Sequence, residues 1–248
     1  MSEKKLTQYQ TWDRTTRWFH WINVLSFLGL IAVGTVILNG SALGIPTPGK
    51  TILKTVHVLI GYVFAINLAW RLVWLFIGSK SASCRAHLPL GKGEPGGGIG
   101  GALGYIKELK AGDPPQYIGH TPPGRYMVSF LFLLLITQAV TGIVIAGTDI
   151  YYPPFGGFIA EWVAAPGIDP TTLIPKDMSM VDKTAWDEMR AFRKPFATIH
   201  YYVFFTLLAV AAVHIFAVIR VEAIEKTGLI SAMFSGVKTL SKPPADRD

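Results

Sequence analysis

The sequence predicts an all-α integral membrane protein, a four-helix transmembrane bundle with a short interfacial helix. Three observations carry that reading. Four apolar stretches, 18–38, 56–77, 127–146 and 196–219, each approach the roughly 20 residues that an α-helix needs to cross hydrocarbon. Only 16% of the 248 residues are charged and 50% are hydrophobic, against about 25% charged in soluble domains. Mean hydropathy is +0.38. Buried helices of soluble proteins are rarely this long and this uniformly apolar.

The elements follow in order. The first stretch carries no charge. It is too long for the apolar region of a signal peptide, and no small-residue cleavage motif follows it, so no cleavable leader is expected. A short connection, 39–55, holds Gly44, Pro46, Pro48 and Gly49. The second stretch has Arg71 near its end, where a long side chain can snorkel toward the interface. The connection 78–124 contains a glycine-rich tract at 91–101. After the tract, Leu103, Ile106 and Leu109 recur at helical spacing with Lys107 and Lys110 between them, which predicts the interfacial helix. The third stretch leads into a long connection, 147–195, rich in proline and acidic residues. The fourth has no charge before Arg220. The chain reads as a single membrane-embedded domain, without repeats.

Charge gives topology rather than a nucleic-acid partner, although the net charge is +7. Lys4, Lys5, Arg14 and Arg17 precede the first stretch. Lys80, Arg85, Lys92, Lys107, Lys110 and Arg125 lie between the second and third, and Arg220, Lys226, Lys238, Lys242 and Arg247 follow the fourth. The other connections hold Lys50 and Lys54, then Lys176, Lys183, Arg190, Arg193 and Lys194. The positive-inside rule puts both termini in the cytoplasm, with the chain in the inner (cytoplasmic) membrane. The single cysteine, Cys84, forms no intrachain disulfide and no c-type haem motif, and reads as a free thiol in a loop. No phosphate-binding loop, dinucleotide fingerprint, hydrolase triad or zinc spacing stands out.

The histidines carry the chemistry. His200 and His214 lie fourteen residues apart inside the fourth stretch. Fourteen helical residues rise about 21 Å and return to within about 40° of the starting face. One helix then presents two imidazoles on one side, near opposite membrane surfaces. Ionisable side chains are costly at that depth and mark function. His20 opens the first stretch at the inner side, and His57 opens the second at the outer side. Matching depths pairs His57 with His200 and His20 with His214. Two haems, each held by two imidazoles, would use all four residues as iron ligands. An iron with both axial positions filled carries single electrons rather than binding oxygen or substrate. Haem propionates favour basic neighbours: Arg14, Arg17, Arg71 and Arg125 at the inner haem, Lys54 and Lys194 at the outer. Gly34, Gly61 and Gly142 would let a flat macrocycle approach the backbone, as they would let helices pack closely. His87 and His120 fall in the polar inner connection and read as solvated loop residues.

These residues carry a resemblance. Trp12-Asp13-Arg14 through Arg17-Trp18-Phe19-His20-Trp21, His57-Val58-Leu59-Ile60-Gly61, Ile118-Gly119-His120, Thr141-Gly142 and the spaced pair His200 and His214 resemble the b-type cytochrome subunit of membrane-bound nickel–iron hydrogenases. That family is related to the cytochrome subunits of respiratory formate dehydrogenases. Glu222-Ala223-Ile224 to Ile230-Ser231-Ala232-Met233 is similar to the hydrogenase type. The resemblance covers nearly the whole chain, and the connection 147–195 departs from it in length.

The resemblance implies two b-type haems, an extracytoplasmic oxidoreductase partner (the hydrogenase small subunit) and quinone as exchangeable substrate. Electrons would pass from the partner to the membrane quinone pool. Quinone is expected at the inner end, near Asn23, Arg17, Arg220 and Glu222, with Glu222 placed to relay protons. Two alternatives stay open: a stand-alone superoxide:quinone oxidoreductase, or a quinol-oxidising cytochrome b serving a multihaem cytochrome c or another reductase. The connection 147–195 is the expected docking surface.

Overall fold

A computed structural model describes residues 6–88 and 97–246. Part of the glycine-rich tract, together with Lys4, Lys5, Lys92 and Arg247, lies outside the described residues. A short strand β1 (Thr7–Gln10) precedes the long helix α1 (Arg14–Leu38), which is followed by α2 (Thr47–Ile77). Two short helices, α3 (Cys84–His87) and α4 (Gly98–Ala111), lead to α5 (Pro122–Ile150). Then come α6 (Gly156–Val163), α7 (Lys183–Glu225), α8 (Ala232–Ser235) and the strand β2 (Val237–Leu240). Helices α1, α2, α5 and α7 are long and apolar enough to cross a membrane.

Each long helix overruns the apolar stretch that predicted it. Hydropathy reports only the hydrocarbon-facing part, whereas the helix continues into polar residues. Proline is tolerated in a first turn, where its missing N–H has no helical partner. Pro48 in α2 and Pro122 and Pro123 in α5 sit there. Asp13 caps α1 by accepting the Thr16 N–H at 2.7 Å, a contact of the N-cap type. Its other oxygen accepts from Trp74 Nε1 at 3.1 Å and from Ser79. Burial raises the pKa of Asp13, but the hydrogen bonds from Ser79, Thr16 and Trp74 outweigh it and hold the carboxyl below its ordinary value. The outward faces of the long helices are bare and apolar: Ile66 is 70% exposed and Phe76 80%. Surfaces of that kind suit lipid tails rather than water.

The chain divides into two compact units. The first gathers Met1–Ile22, Leu68–Leu134 and Leu207–Asp248. In it β1 pairs antiparallel with β2, Thr7 opposite Leu240 and Gln10 opposite Val237. Arg17 donates to the Phe234 carbonyl, and Trp21 Nε1 donates to the Met233 carbonyl at 2.9 Å. The Asp246 carboxylate accepts the N–H groups of Ile118 and Gly119 at 2.7 and 2.8 Å. Helix α4 buries Ala102 and Tyr105 and exposes Ile99, Leu103 and Ile106. A helix thus forms where the spacing of Leu103, Ile106 and Leu109 predicts one.

The second unit gathers Asn23–Asn67 and Leu135–Thr206. The connection 147–195 is more structured than its composition suggests. Its first residues extend α5, its last belong to α7, and the middle folds around a small core. Ile159, Ala160, Val163, Leu173, Val181 and Met189 form that core. Asp169 and Asp177 cap two short 3-10 turns, accepting the N–H groups of Thr171 and Ser179 at 2.9 Å each.

Candidate functional site

In the second unit, α2 supplies His57 and α7 supplies His200. The two rings face each other with centroids 6.5 Å apart and planes inclined at 72°. Glycines on the other two helices make room for them. A Cβ at Gly34 of α1 would lie 3.1 Å from His57 Cε1, and one at Gly142 of α5 would lie 3.2 Å from His200 Cε1. At Gly61, one turn beyond His57, a Cβ would meet nothing within 4 Å. His57 Nδ1 is buried with no hydrogen-bond partner.

His200 is held differently. Thr141 Oγ1 lies 2.7 Å from the Thr137 carbonyl and 3.0 Å from His200 Nδ1. A hydroxyl has one proton to give. The carbonyl takes it, so the oxygen accepts from Nδ1–H. Gln138 Nε2 lies 3.1 Å from His200 Nε2 and donates to it. Both contacts select one tautomer, with the proton on Nδ1 and the lone pair on Nε2. Of the expected basic neighbours, Lys54 pairs with Asp149, which also binds Arg193 at 3.3 Å. Lys194 is exposed and lines an open hollow with Arg190, Thr198 and Tyr201.

The first unit holds His20 on α1 and His214 on α7. His20 packs edge-on against Trp21 at 5.2 Å, and its Nδ1 is buried without a partner. Each predicted pair thus lies within one unit. Arg17, as above, is engaged by the Phe234 carbonyl.

Arg71 corrects an expectation. It does not snorkel: it is 1% exposed. It donates to the Ala82 carbonyl at 3.2 Å and to His87 Nε2 at 2.9 Å. Its guanidinium lies 5.7 Å from the ring centroids of both Phe19 and Phe132, within cation–π range. Arg71 is fourteen residues beyond His57, so helical geometry returns it to nearly the same inward face.

His87 and His120 are likewise not solvated. His87 is 5% exposed, and its Nδ1–H donates to the Ser83 carbonyl at 2.9 Å. Its ring packs on His120 at 4.8 Å, and His120 packs on Trp12 at 4.8 Å. Burial pushes the His87 pKa down to about 4, with Arg71 and Arg125 adding to the effect and the Ser83 hydrogen bond opposing it. Burial also holds His120 well below its ordinary value, with smaller contributions from His87, Lys238, Arg71 and Arg125. Lys238 donates to the Tyr117 and Gly119 carbonyls at 3.2 and 2.9 Å. Burial lowers its pKa to about 8, against the attraction of Glu225, Asp246 and Glu222.

Glu222 has a structural contact that its sequence position did not suggest. Its carboxylate accepts the N–H groups of Gly228 and Leu229 and closes the turn after α7.

The family model for prokaryotic cytochrome b561 matches residues 11–236. The chain belongs to the prokaryotic cytochrome b561 family. Haem b and electron transport follow from that membership, and with four membrane-length helices the chain is a membrane b-type cytochrome. Among curated relatives, a Ni/Fe-hydrogenase B-type cytochrome subunit of Rhizobium leguminosarum is 24% identical over 241 residues, covering 91% of this chain and 86% of that one. The corresponding subunit of Cupriavidus necator is 22% identical over 246 residues, covering 96% and 90%. A Ni/Fe-hydrogenase 1 B-type cytochrome subunit of Escherichia coli is 23% identical over 159 residues, covering 62% and 66%. No solved structure matches the chain significantly.

Proposed function

We propose that this b561-family cytochrome is a single-domain membrane anchor holding two haems b, which conducts electrons between an extracytoplasmic nickel–iron hydrogenase and the quinone pool. His57 and His200 would hold one haem and His20 and His214 the other. The observation that carries this reading is the 6.5 Å separation of the His57 and His200 ring centroids. Two imidazoles bonded to one metal at about 2 Å each have centroids a little over about 6 Å apart. The residues present fit the group in other ways. His20 and His57 have buried, unpartnered Nδ1 atoms, and Gly34 and Gly142 keep the histidine faces clear of side chains. Bound haem b supplies one-electron chemistry, its iron alternating between ferric and ferrous states.

Arg17 and Arg71 serve the propionates of the inner haem, and Lys54 and Lys194 those of the outer. Arg71 is the strongest of these. It is a buried cation whose recorded hydrogen bonds go to neutral acceptors, so it is suited to an anion. Both termini would face the cytoplasm, across the inner membrane, and quinone would bind at the inner end. The relatives' names favour hydrogenase over a stand-alone superoxide:quinone oxidoreductase. The exposed aromatic face of α6, with Phe158 and Trp162, is the proposed docking surface.

The test is haem content in four purified variants. His57→Ala and His200→Ala should each lose the same haem, and His20→Ala and His214→Ala the other. Loss of the same haem from His20→Ala and His200→Ala would refute the pairing. For quinone, an analogue inhibitor should shift the potential of the haem that survives in His57→Ala. A shift that vanishes in that variant puts quinone at the other end.

A further inference from the structure

We infer that Thr141 is a positioning residue that fixes the tautomer of His200 and so lowers the potential of the His57–His200 haem. The inference rests on the proposed ligation of that haem by His200. Thr141 is 4% exposed, so no bulk water competes for its oxygen. Its proton is committed to the Thr137 carbonyl at 2.7 Å, and its lone pair receives His200 Nδ1–H at 3.0 Å. Nε2 is thereby left as the donor atom for iron. Gln138, 3.1 Å away, satisfies the same lone pair and is the group that must yield it.

A hydrogen bond from the far nitrogen of a ligating imidazole makes the ring more basic. A more basic ligand stabilises ferric iron over ferrous and lowers the potential. His57 and His20, one in each pair, have buried Nδ1 atoms without a partner, so the device acts on the His57–His200 haem through His200 alone. The device is built into α5, a helix that would supply no ligand to either haem. Its residues 138, 141 and 142 lie within about one helical turn and contact His200 through an amide, a hydroxyl and a bare backbone.

The experiment compares Thr141→Val, which keeps the shape and removes the hydroxyl, with Thr141→Ser, which keeps the hydroxyl. Haem content and both midpoint potentials are measured by optical redox titration in the full chain, with His200→Ala as reference. Thr141→Val should retain both haems and lose about tenfold in ferric preference at one of them, the haem missing from His200→Ala. For a one-electron couple that is an upward shift of about 59 mV. Thr141→Ser should restore the wild-type value. Unchanged potentials in Thr141→Val overturn the inference, as does an equal shift in Thr141→Ser, which would make packing the cause. Loss of the haem from both variants also overturns it, assigning Thr141 to structure alone. If His200→Ala keeps both haems, the ligand assignment itself fails and takes this inference with it. If His200→Ala loses one haem while Thr141→Val shifts nothing, only the role of Thr141 fails.

Discussion

Replacing Gly142 by alanine tests the glycine cradle most directly. The new Cβ would lie 3.2 Å from His200 Cε1 and 3.7 Å from Nδ1. Ordinary carbon contacts are about 3.5–4.0 Å, so the imidazole must retreat by about 0.4 Å. Thr141 is on the same helix as the new methyl group. Retreat therefore stretches its bond to Nδ1 from 3.0 Å toward the edge of useful hydrogen-bond geometry. Overpacking costs about 1–3 kcal/mol, and weakening one hydrogen bond adds up to about 1 kcal/mol. A net cost near 2 kcal/mol lowers haem affinity at the His57–His200 pair roughly thirtyfold. Alanine also favours helix over glycine by about 1 kcal/mol, so thermal stability should change less than haem retention. Gly29→Ala is the control, because its Cβ meets Ile60 at an ordinary 3.5 Å. The assay is haem content after equilibration with a competing apo-globin. Full retention of both haems by Gly142→Ala would refute the argument that close approach of α5 shapes this site.

Other outcomes follow from the first unit and from the segment after α5. Arg71→Gln should weaken the haem of the His20–His214 pair about tenfold and leave the other intact, as haem counts will show. His87 is held neutral with a pKa near 4, below its unfolded value of 6.5, so protonation favours unfolding. Its contribution to stability is complete above pH 6.5 and is lost as pH falls toward 4, by about 3 kcal/mol. Thermal unfolding of His87→Asn should show a correspondingly shallower acid slope, and an unchanged slope counts against the buried-neutral assignment. Exchanging Phe158 and Trp162 together for serine should preserve both haem spectra and slow haem reduction by hydrogenase and hydrogen at least tenfold, since a few aromatic anchors carry most of an interface's affinity. Reduction at the wild-type rate would remove α6 from the docking surface.

The four spans were legible because apolar length is a direct imprint of bilayer thickness. The histidine pairs were legible because helical rise converts sequence spacing into depth. The same arithmetic applied to His57 and Arg71 would have turned Arg71 inward, but its place near a span end suggested an interfacial anchor. His87 and His120 left no such signal. Their burial depends on how a non-periodic connection folds back onto Trp12, Phe132 and Lys238, contacts distant in sequence. The small core beneath 147–195 was hidden for a related reason. Ile159, Ala160 and Val163 follow helical spacing for only two turns, Leu173 and Val181 join them from separate turns, and Met189 comes from α7.

The antiparallel pairing of β1 with β2 has a consequence for the order of synthesis. Residues 7–10 pair with 237–240, Arg17 and Trp21 donate to the carbonyls of Phe234 and Met233, and the Ile118 and Gly119 amides donate to Asp246. None of these contacts can form until residues 233–246 have left the ribosome. The unit that bears His20 and His214 therefore closes as a clasp fastened after the long helices are made. If that pair holds a haem as proposed, its delivery has a window that ends when the clasp engages, whereas the His57–His200 pair is brought together once α7 is in place.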